Sequence, residues 1–391
     1  MSVVLESLDP RYAAGQSYLT PAWLQAAIGD VLKSIDAMLP RFTATFPAAS
    51  ARDGRYPAVE KVDWTEGFWT GLLWLAWEVT GDDKYRRCAQ GLLVSFEERL
   101  DRLIKVDTHD LGFLYLLSCV NAWTLTGNER ARDLALRAAE LLYRRFNPTA
   151  GVIQAWGDLS DPARQGRMII DCNLNVPLLF WAANETGIRQ WREAARCHLA
   201  QASRYLVRDD ASTFHTFYLD IHNGQPLRGD THQGVSNDSC WSRGQAWGMY
   251  GFALGFNHTG DAAYTELSRK LSHYFLNRLP DDYVCYWDLI FKPQDHAFRD
   301  TSAAAIAVCG LAELLKQLPL SDPLRPAYIN AIGLMMRNLH QHYFAHHEDG
   351  LLREGVYNHG RNMGINVPNL WGDYFYFEAL VRLSRIWTPY W

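Results

Sequence analysis

The chain has 391 residues, of which 48% are hydrophobic and 21% charged, and its net charge of −5 comes from interspersed acids and bases. This composition supports a large buried core, and the absence of any basic run excludes a nucleic-acid footprint. No apolar stretch is long enough to span a bilayer, and residues 1–7 combine neither a basic start nor an apolar run, so the chain reads as a cytoplasmic protein without membrane partners. The seven cysteines are scattered without a C-x-x-C pair, which suits reduced thiols and speaks against zinc held through cysteine. The 15 Trp and 19 Tyr are many for this length, and aromatic faces serve both cores and sugar rings.

Residues 21–38 read as an opening helix. The next segment, Phe68, Trp69, Leu72, Leu73, Trp74, Leu75, Ala76, Trp77 and Val79, is apolar on nearly every side, as in a buried helix. It ends in Thr80-Gly81. Beyond that turn Tyr85, Cys88, Leu92, Leu93, Phe96, Leu100 and Leu103 recur at three- and four-residue steps. Arg86, Arg87, Glu97, Glu98 and Arg99 lie between them as a wet face. A helix that stops at glycine and restarts after a polar residue is a tight helical hairpin.

The same phrase returns at Thr126-Gly127, Thr186-Gly187 and Thr259-Gly260, and the intervals lengthen along the chain. Unequal spacing argues against a solenoid of fixed period and for a closed ring with long loops on one face. Two more inner helices follow, at about residues 302–317 and 375–386. The expected fold is all-α, an (α/α)6 barrel of six helical hairpins, in a single domain over 1–391 because no linker divides the chain. The insertion 209–238, rich in Gly, His, Asp and Asn, lacks helical periodicity, and a loop of that length is usually functional.

Polar residues ahead of the inner helices should converge at the barrel mouth. Asp110, in Thr108-His109-Asp110-Leu111-Gly112-Phe113, precedes the second inner helix, and Asp171, in Ile169-Ile170-Asp171-Cys172-Asn173, opens the third. Either acid could be a helix cap. Two carboxylates facing one cavity can instead divide the work of acid and base, as sugar chemistry requires. Asp171 lies among Met168, Ile169, Ile170 and Leu174, and apolar surroundings with a second acid nearby should raise its pKa.

The run His232-Gln233-Gly234 and Trp241-Ser242-Arg243-Gly244-Gln245-Ala246-Trp247 offers stacking faces, hydrogen-bond donors and a cation. That is the inventory for a sugar carrying a carboxylate, which Arg can pair bidentately. The alternative is a core Trp247 and a structural ion pair at Arg243. His215, Trp64, Trp69 and Trp156 are further mouth candidates. No His pair has H-x-x-x-H spacing that demands a metal, so none is expected, and His346-His347 reads as a solvated turn.

These motifs, with Asn175-Val176-Pro177-Leu178-Leu179 and Trp371-Gly372-Asp373-Tyr374, resemble those of the unsaturated glucuronyl hydrolases, glycoside hydrolase family 88. The resemblance runs in order from about Trp64 to Leu383. It implies an (α/α)6 barrel that removes a 4,5-unsaturated uronic acid from the non-reducing end of lyase-generated oligosaccharides by hydrating the C4=C5 vinyl ether. It also implies that Asp171 is the general acid/base and Asp110 the second catalytic carboxylate. His215, His232, Gln233, Trp241, Arg243, Trp64 and Trp156 match substrate-binding positions, with His109 as an orienting neighbour. No metal or organic cofactor is implied. Partners are unsaturated uronyl disaccharides and oligosaccharides, with the chain a monomer or weak homodimer.

Three rivals stand beside this reading. One is an unsaturated rhamnogalacturonyl hydrolase acting on pectin fragments. The others are a sugar epimerase, which would use paired histidines, and a non-catalytic carbohydrate-binding barrel whose acids are caps. Chondroitin, hyaluronan, heparin and gellan remain open as sources of the substrate. A sulfate contact would fall in the loop 358–369, at Arg361.

Overall fold

The structure, a computed structural model, describes residues 3–13, 19–61 and 64–391, so Met1 and Ser2 of the opening segment lie outside the described residues. Helix α1 (Pro21–Met38) buries Leu24, Ile28, Val31 and Ile35 along one stripe. Then come α2 (Glu66–Thr80), buried on nearly every side through Ala76, and the broken pair α3 (Asp83–Gly91) and α4 (Leu93–Asp101), which carries one wet face. Helices α5 (Leu111–Tyr115) and α6 (Asn121–Thr126) are joined by a π turn at Leu116–Val120 into one inner helix. The alternation continues through α7 (Glu129–Tyr143), α8 (Pro177–Thr186), α9 (Arg189–Tyr205), α10 (Ser242–Thr259) and α11 (Ala262–Leu276). It ends with α12 (Thr301–Gln317), α13 (Arg325–Tyr343) and α14 (Leu370–Ser384).

The inner ring runs α2, α5–α6, α8, α10, α12, α14, each packed on the next, and closes where α14 meets α2. The outer helices α3–α4, α7, α9, α11 and α13 each pack on the inner helix that precedes them, and α1 covers the seam between α14 and α2. Six inner and six outer positions make the (α/α)6 barrel among the described residues. The chain opens on an outer helix, which is why the last inner helix needs no hairpin of its own.

The repeated Thr-Gly turn has a local cause. Gly81, Gly127, Gly187 and Gly260 all take φ between +70° and +75°, the left-handed conformation that ends a helix and that a side chain disfavours. Each preceding threonine, Thr80, Thr126, Thr186 and Thr259, donates its hydroxyl to the carbonyl four residues back. Asp82, Asn128 and Asp261 then cap the outer helices that follow.

An aromatic column fills the barrel axis. Phe68, Phe113, Trp247, Phe375 and Trp391 follow one another at ring separations of 5.3 to 5.6 Å, so the cavity at the mouth has a solid floor. Fully burying such a side chain stabilises the fold by about 1.5–3 kcal/mol.

Three expectations change. Trp69 is fully buried and donates its indole N–H to the carbonyl of Phe42, so it belongs to the packing between layers and not to the mouth. Arg99 is not on the wet face: it forms a fully buried ion pair with Glu66, 3.0 Å away, which ties α4 to the start of α2. Leu103, beyond the end of α4, is exposed because the chain turns outward there at a positive φ.

The segment 209–238 is not a bare loop. Thr216–Leu219 and Pro226–Asp230 are antiparallel strands of a three-stranded sheet completed by Arg167–Ile169. A second hairpin pairs Gly355–Asn358 with Met363–Val367. Both stand at the mouth of a mainly helical fold.

Candidate active site

A cavity of about 480 Å³ opens at the mouth, and Asp110, Asp171, Trp64, Trp156, His232, Gln233, Trp241 and Arg243 are on its wall. His109 and His215 are buried just behind that wall. These ten residues are therefore gathered at one place, although they come from seven separate stretches of chain.

The two acids meet because two inner helices start almost in contact. A Cβ on Gly112 would lie 2.3 Å from the Cα of Asn175, so only glycine permits this approach. Asn175 then bridges the helices: its Oδ1 accepts from the amide of Phe113 at 2.8 Å, and its Nδ2 donates to the carbonyl of Asp171 at 3.2 Å. Gly112→Ala is expected to force these helices apart, at a cost of about 1–3 kcal/mol for overpacking. Thermal melting should register the loss, and turnover should fall further than stability because Asp110 moves away from Asp171.

Neither acid caps its helix. Asp110 occupies the N-cap position of α5 without a side-chain cap bond; its Oδ2 instead accepts the hydroxyl of Thr108 at 2.7 Å. Asp171 lies in the first turn of the 3₁₀ helix Ile170–Leu174, and its Oδ1 has no hydrogen-bond partner. The contrast with Asp82 and Asp261, which do cap outer helices, removes the structural explanation for the pair.

His109 is fully buried, with Nε2 3.4 Å from Oδ1 of both Asp110 and Asp171. Burial opposes charging its ring, but Asp171, Cys172 and Asp110 outweigh that effect and hold the imidazole pKa well above its ordinary value. Burial raises the Asp171 carboxyl to about 6, with His109 lowering it and Asp110 raising it. The imidazole thus sits between two acids, and Asp171 is the one poised near neutrality. The ligand-type atoms of His109, Asp110 and Asp171 lie within 4.8 Å of one another, so these three are the residues that could hold a metal ion.

The sheet positions the histidines. The amide of Ile170 donates to the carbonyl of His215, and the amide of His232 donates to His215 Nδ1 at 3.0 Å. Burial, with His232 and the Arg243 guanidinium close by, keeps the His215 pKa well below its ordinary value, as an accepting ring nitrogen requires. Its ring packs on Trp241 with centroids 4.4 Å apart. Arg243, in the first turn of α10, lies between the Trp241 and Trp371 rings, 4.5 and 4.9 Å from their centroids, and pairs with Asp300 at 3.1 Å. Trp247 is both core and cavity wall.

Sequence reading missed Lys105, Arg164, Arg167, Tyr357 and Asn358, which also line the cavity. Arg167, at the start of a strand, stacks on Trp156 of the preceding loop at 4.4 Å, a contact that spacing does not encode. Asp300 was missed too, although its signal matches that of Asp110 and Asp171: an acid just ahead of a largely apolar helix. Arg361 and Met363 reach the same wall from the hairpin turn.

An (α/α)6 barrel with paired carboxylates in an aromatic-walled cavity defines an enzyme of carbohydrate chemistry. The chain matches the model of Glycosyl Hydrolase Family 88 over residues 34–379. It is 45% identical over 370 residues to the unsaturated glucuronyl hydrolase of Bacillus sp. (strain GL1), an alignment covering 94% of this chain and 98% of that one. It is 43% identical to the unsaturated chondroitin disaccharide hydrolase of Streptococcus pneumoniae, with 95% of each chain covered. The crystal structure of unsaturated glucuronyl hydrolase from Streptococcus agalactiae superposes with a TM-score of 0.96 at 40% identity, covering 100% of this chain and 99% of that one. The chain belongs to glycosyl hydrolase family 88 and is a glycosidase.

Proposed function

We propose that this glycosidase releases the 4,5-unsaturated uronic acid from the non-reducing end of lyase-generated glycosaminoglycan-type oligosaccharides. The observation that carries the reading is the uncapped pair Asp110 and Asp171, bridged by buried His109 at the wall of an aromatic-lined cavity. The relatives' names point the same way. Lys105, Arg164, Arg167 and Arg361 on the cavity wall favour an anionic sugar, and Arg361 is the candidate contact for a sulfate.

In this mechanism the protonated carboxyl of Asp171 delivers its proton to C4 of the vinyl ether. Positive charge develops at C5 and the ring oxygen, and the Asp110 carboxylate supports it. Asp171, now a carboxylate, takes a proton from water as the water oxygen bonds to C5. The resulting hemiketal opens by breaking the C5–ring oxygen bond. The hemiacetal left at C1, which bears the former ring oxygen as a hydroxyl, then collapses to the aldehyde and expels the rest of the chain as an alcohol, and Asp171 is again protonated. A pKa near 6 lets one carboxyl perform both transfers. Trp64, Trp156 and Trp241 supply stacking faces, and His232 and Gln233 supply polar contacts.

The chemistry needs no metal, so activity is expected to survive chelation by EDTA. Loss of activity on chelation, restored by a divalent ion, would overturn that part of the reading. We also propose that the barrel works as a single domain, as a monomer or weak homodimer in the cytoplasm. In support, the ring of inner helices closes within this chain where the last meets the first, and all seven cysteines are free thiols.

The direct test is the ultraviolet absorbance of the conjugated uronate. It should fall when the enzyme meets unsaturated chondroitin or hyaluronan disaccharides and persist with rhamnogalacturonan-derived ones. Consumption of the pectin fragment alone would select the rhamnogalacturonyl alternative. Binding without absorbance loss would select the non-catalytic one.

A further inference from the structure

Arg243 has little left to offer a ligand. Its Nη1 donates to Oδ2 of Asp300 (3.1 Å) and to the carbonyl of Val356 (2.5 Å). Its Nη2 donates to Oε1 of Gln233 (2.6 Å) and to the carbonyl of Tyr357 (2.8 Å). The two Nη atoms carry four hydrogens, and four protein acceptors meet them. The bidentate grip on a substrate carboxylate expected from the sequence is therefore already occupied by the protein.

What the guanidinium does is orient its neighbours. A side-chain amide facing Arg N–H groups must present its oxygen to them, so the Nε2 end of Gln233 is the end left for the cavity that Gln233 lines. A carboxylate accepts and does not donate, so it requires such a donor. Arg243 is itself held by Asp300, which is fully buried. Asp300 Oδ1 accepts from Ser302 Oγ and from the amides of Ser302, Ala303 and Val356, while Oδ2 is turned to the arginine. The Trp371-Gly372 motif serves the same arrangement. The Trp371 ring backs the guanidinium, and a Cβ on Gly372 would come within 2.8 Å of the Ser302 Cβ.

We infer that Asp300 is a positioning residue that acts through Arg243 to hold the Gln233 amide with its donors toward the cavity, and that this amide selects the carboxylate of the uronate. The inference rests on the proposed function and assigns the specificity of that same site. Neutralising Asp300 leaves a buried guanidinium free to turn, and Gln233 loses its fixed orientation.

The test compares an unsaturated disaccharide with its uronate methyl ester, measured as KM and kcat. Asp300→Asn retains an N-cap side chain but loses the charge. It is expected to raise KM for the acid about tenfold or more, the loss of one hydrogen bond to a charged group. Turnover at saturation and KM for the ester should stay near wild type, a split that general loosening of the fold would not produce. Gln233→Glu offers a second route that does not depend on Asp300 folding. It keeps an acceptor toward Arg243 but replaces the donor with an oxygen, so it should bind the acid more weakly than Gln233→Ala. Wild-type preference for the acid over the ester in Asp300→Asn, or acid binding by Gln233→Glu equal to or tighter than by Gln233→Ala, would overturn the inference while wild-type turnover stands. Failure of the wild type to consume the disaccharide would overturn the proposed function and the inference with it.

Discussion

Asp171→Asn is expected to lose about 10²–10⁴-fold in kcat, the usual contribution of a positioned acid or base. The amide has nearly the shape of the neutral carboxyl but can neither give a proton to C4 nor take one from water. The fold should remain. Asp171 binds its proton more tightly in the folded chain, with a pKa of about 6 against an ordinary 3.8, so its ionisation weakens the fold as pH rises through that window. Asn carries no such charge, and the variant should melt at or above the wild-type temperature at pH 8, with the difference fading toward pH 4. Absorbance loss on an unsaturated disaccharide measures the first effect and calorimetry at the two pH values the second. A variant keeping more than about a tenth of the rate would remove Asp171 from the acid/base role.

The second large effect belongs to His109→Gln. In the wild type the buried imidazolium lies 3.4 Å from both carboxylates, with desolvation opposing its charge and the acids prevailing. Its folded pKa is raised, so its stabilising contribution is complete below its unfolded pKa of about 6.5 and is lost only as pH climbs through the higher folded value. Removing it leaves two acids facing each other without a counter-ion. Breaking a buried pair in this way costs about 3–5 kcal/mol. The cost should be largest at pH 8 and shrink near pH 5, where one acid can take up a proton. Because His109 lowers the Asp171 pKa, its loss should also move the alkaline limb of the kcat/KM profile to higher pH. An unchanged profile would show that His109 does not set the charge of the pair.

Much of the barrel was legible because its causes are local. Thr80-Gly81 and its three counterparts end helices through a left-handed glycine and a back-bonded threonine, and these signals lie within five residues of one another. All-round apolar stretches against one-sided ones separate inner from outer helices for the same reason. Misreadings arose where a partner lay far along the chain. Arg99 looked like a surface charge because its partner Glu66 belongs to another helix. Trp69 looked like a mouth residue because the carbonyl it bonds, on Phe42, leaves no mark in side-chain chemistry. The strands around His215 and His232 are short, and their pairing with Arg167–Ile169 is set by the ring that brings them together.

The sequence by itself determined the helical repeat, the placement of Asp110 and Asp171 ahead of inner helices, and the aromatic and cationic inventory of the mouth. Each of these depends on residue type and short-range spacing. Only the tertiary structure decided what the polar groups are doing, because burial and distance are properties of the packed chain. It is packing at Gly112 against Asn175 that brings the acids together, and burial that raises one of them toward neutrality. Packing also encloses Arg243 among Asp300, Val356, Tyr357 and Gln233, turning an apparent carboxylate clamp into the support of one.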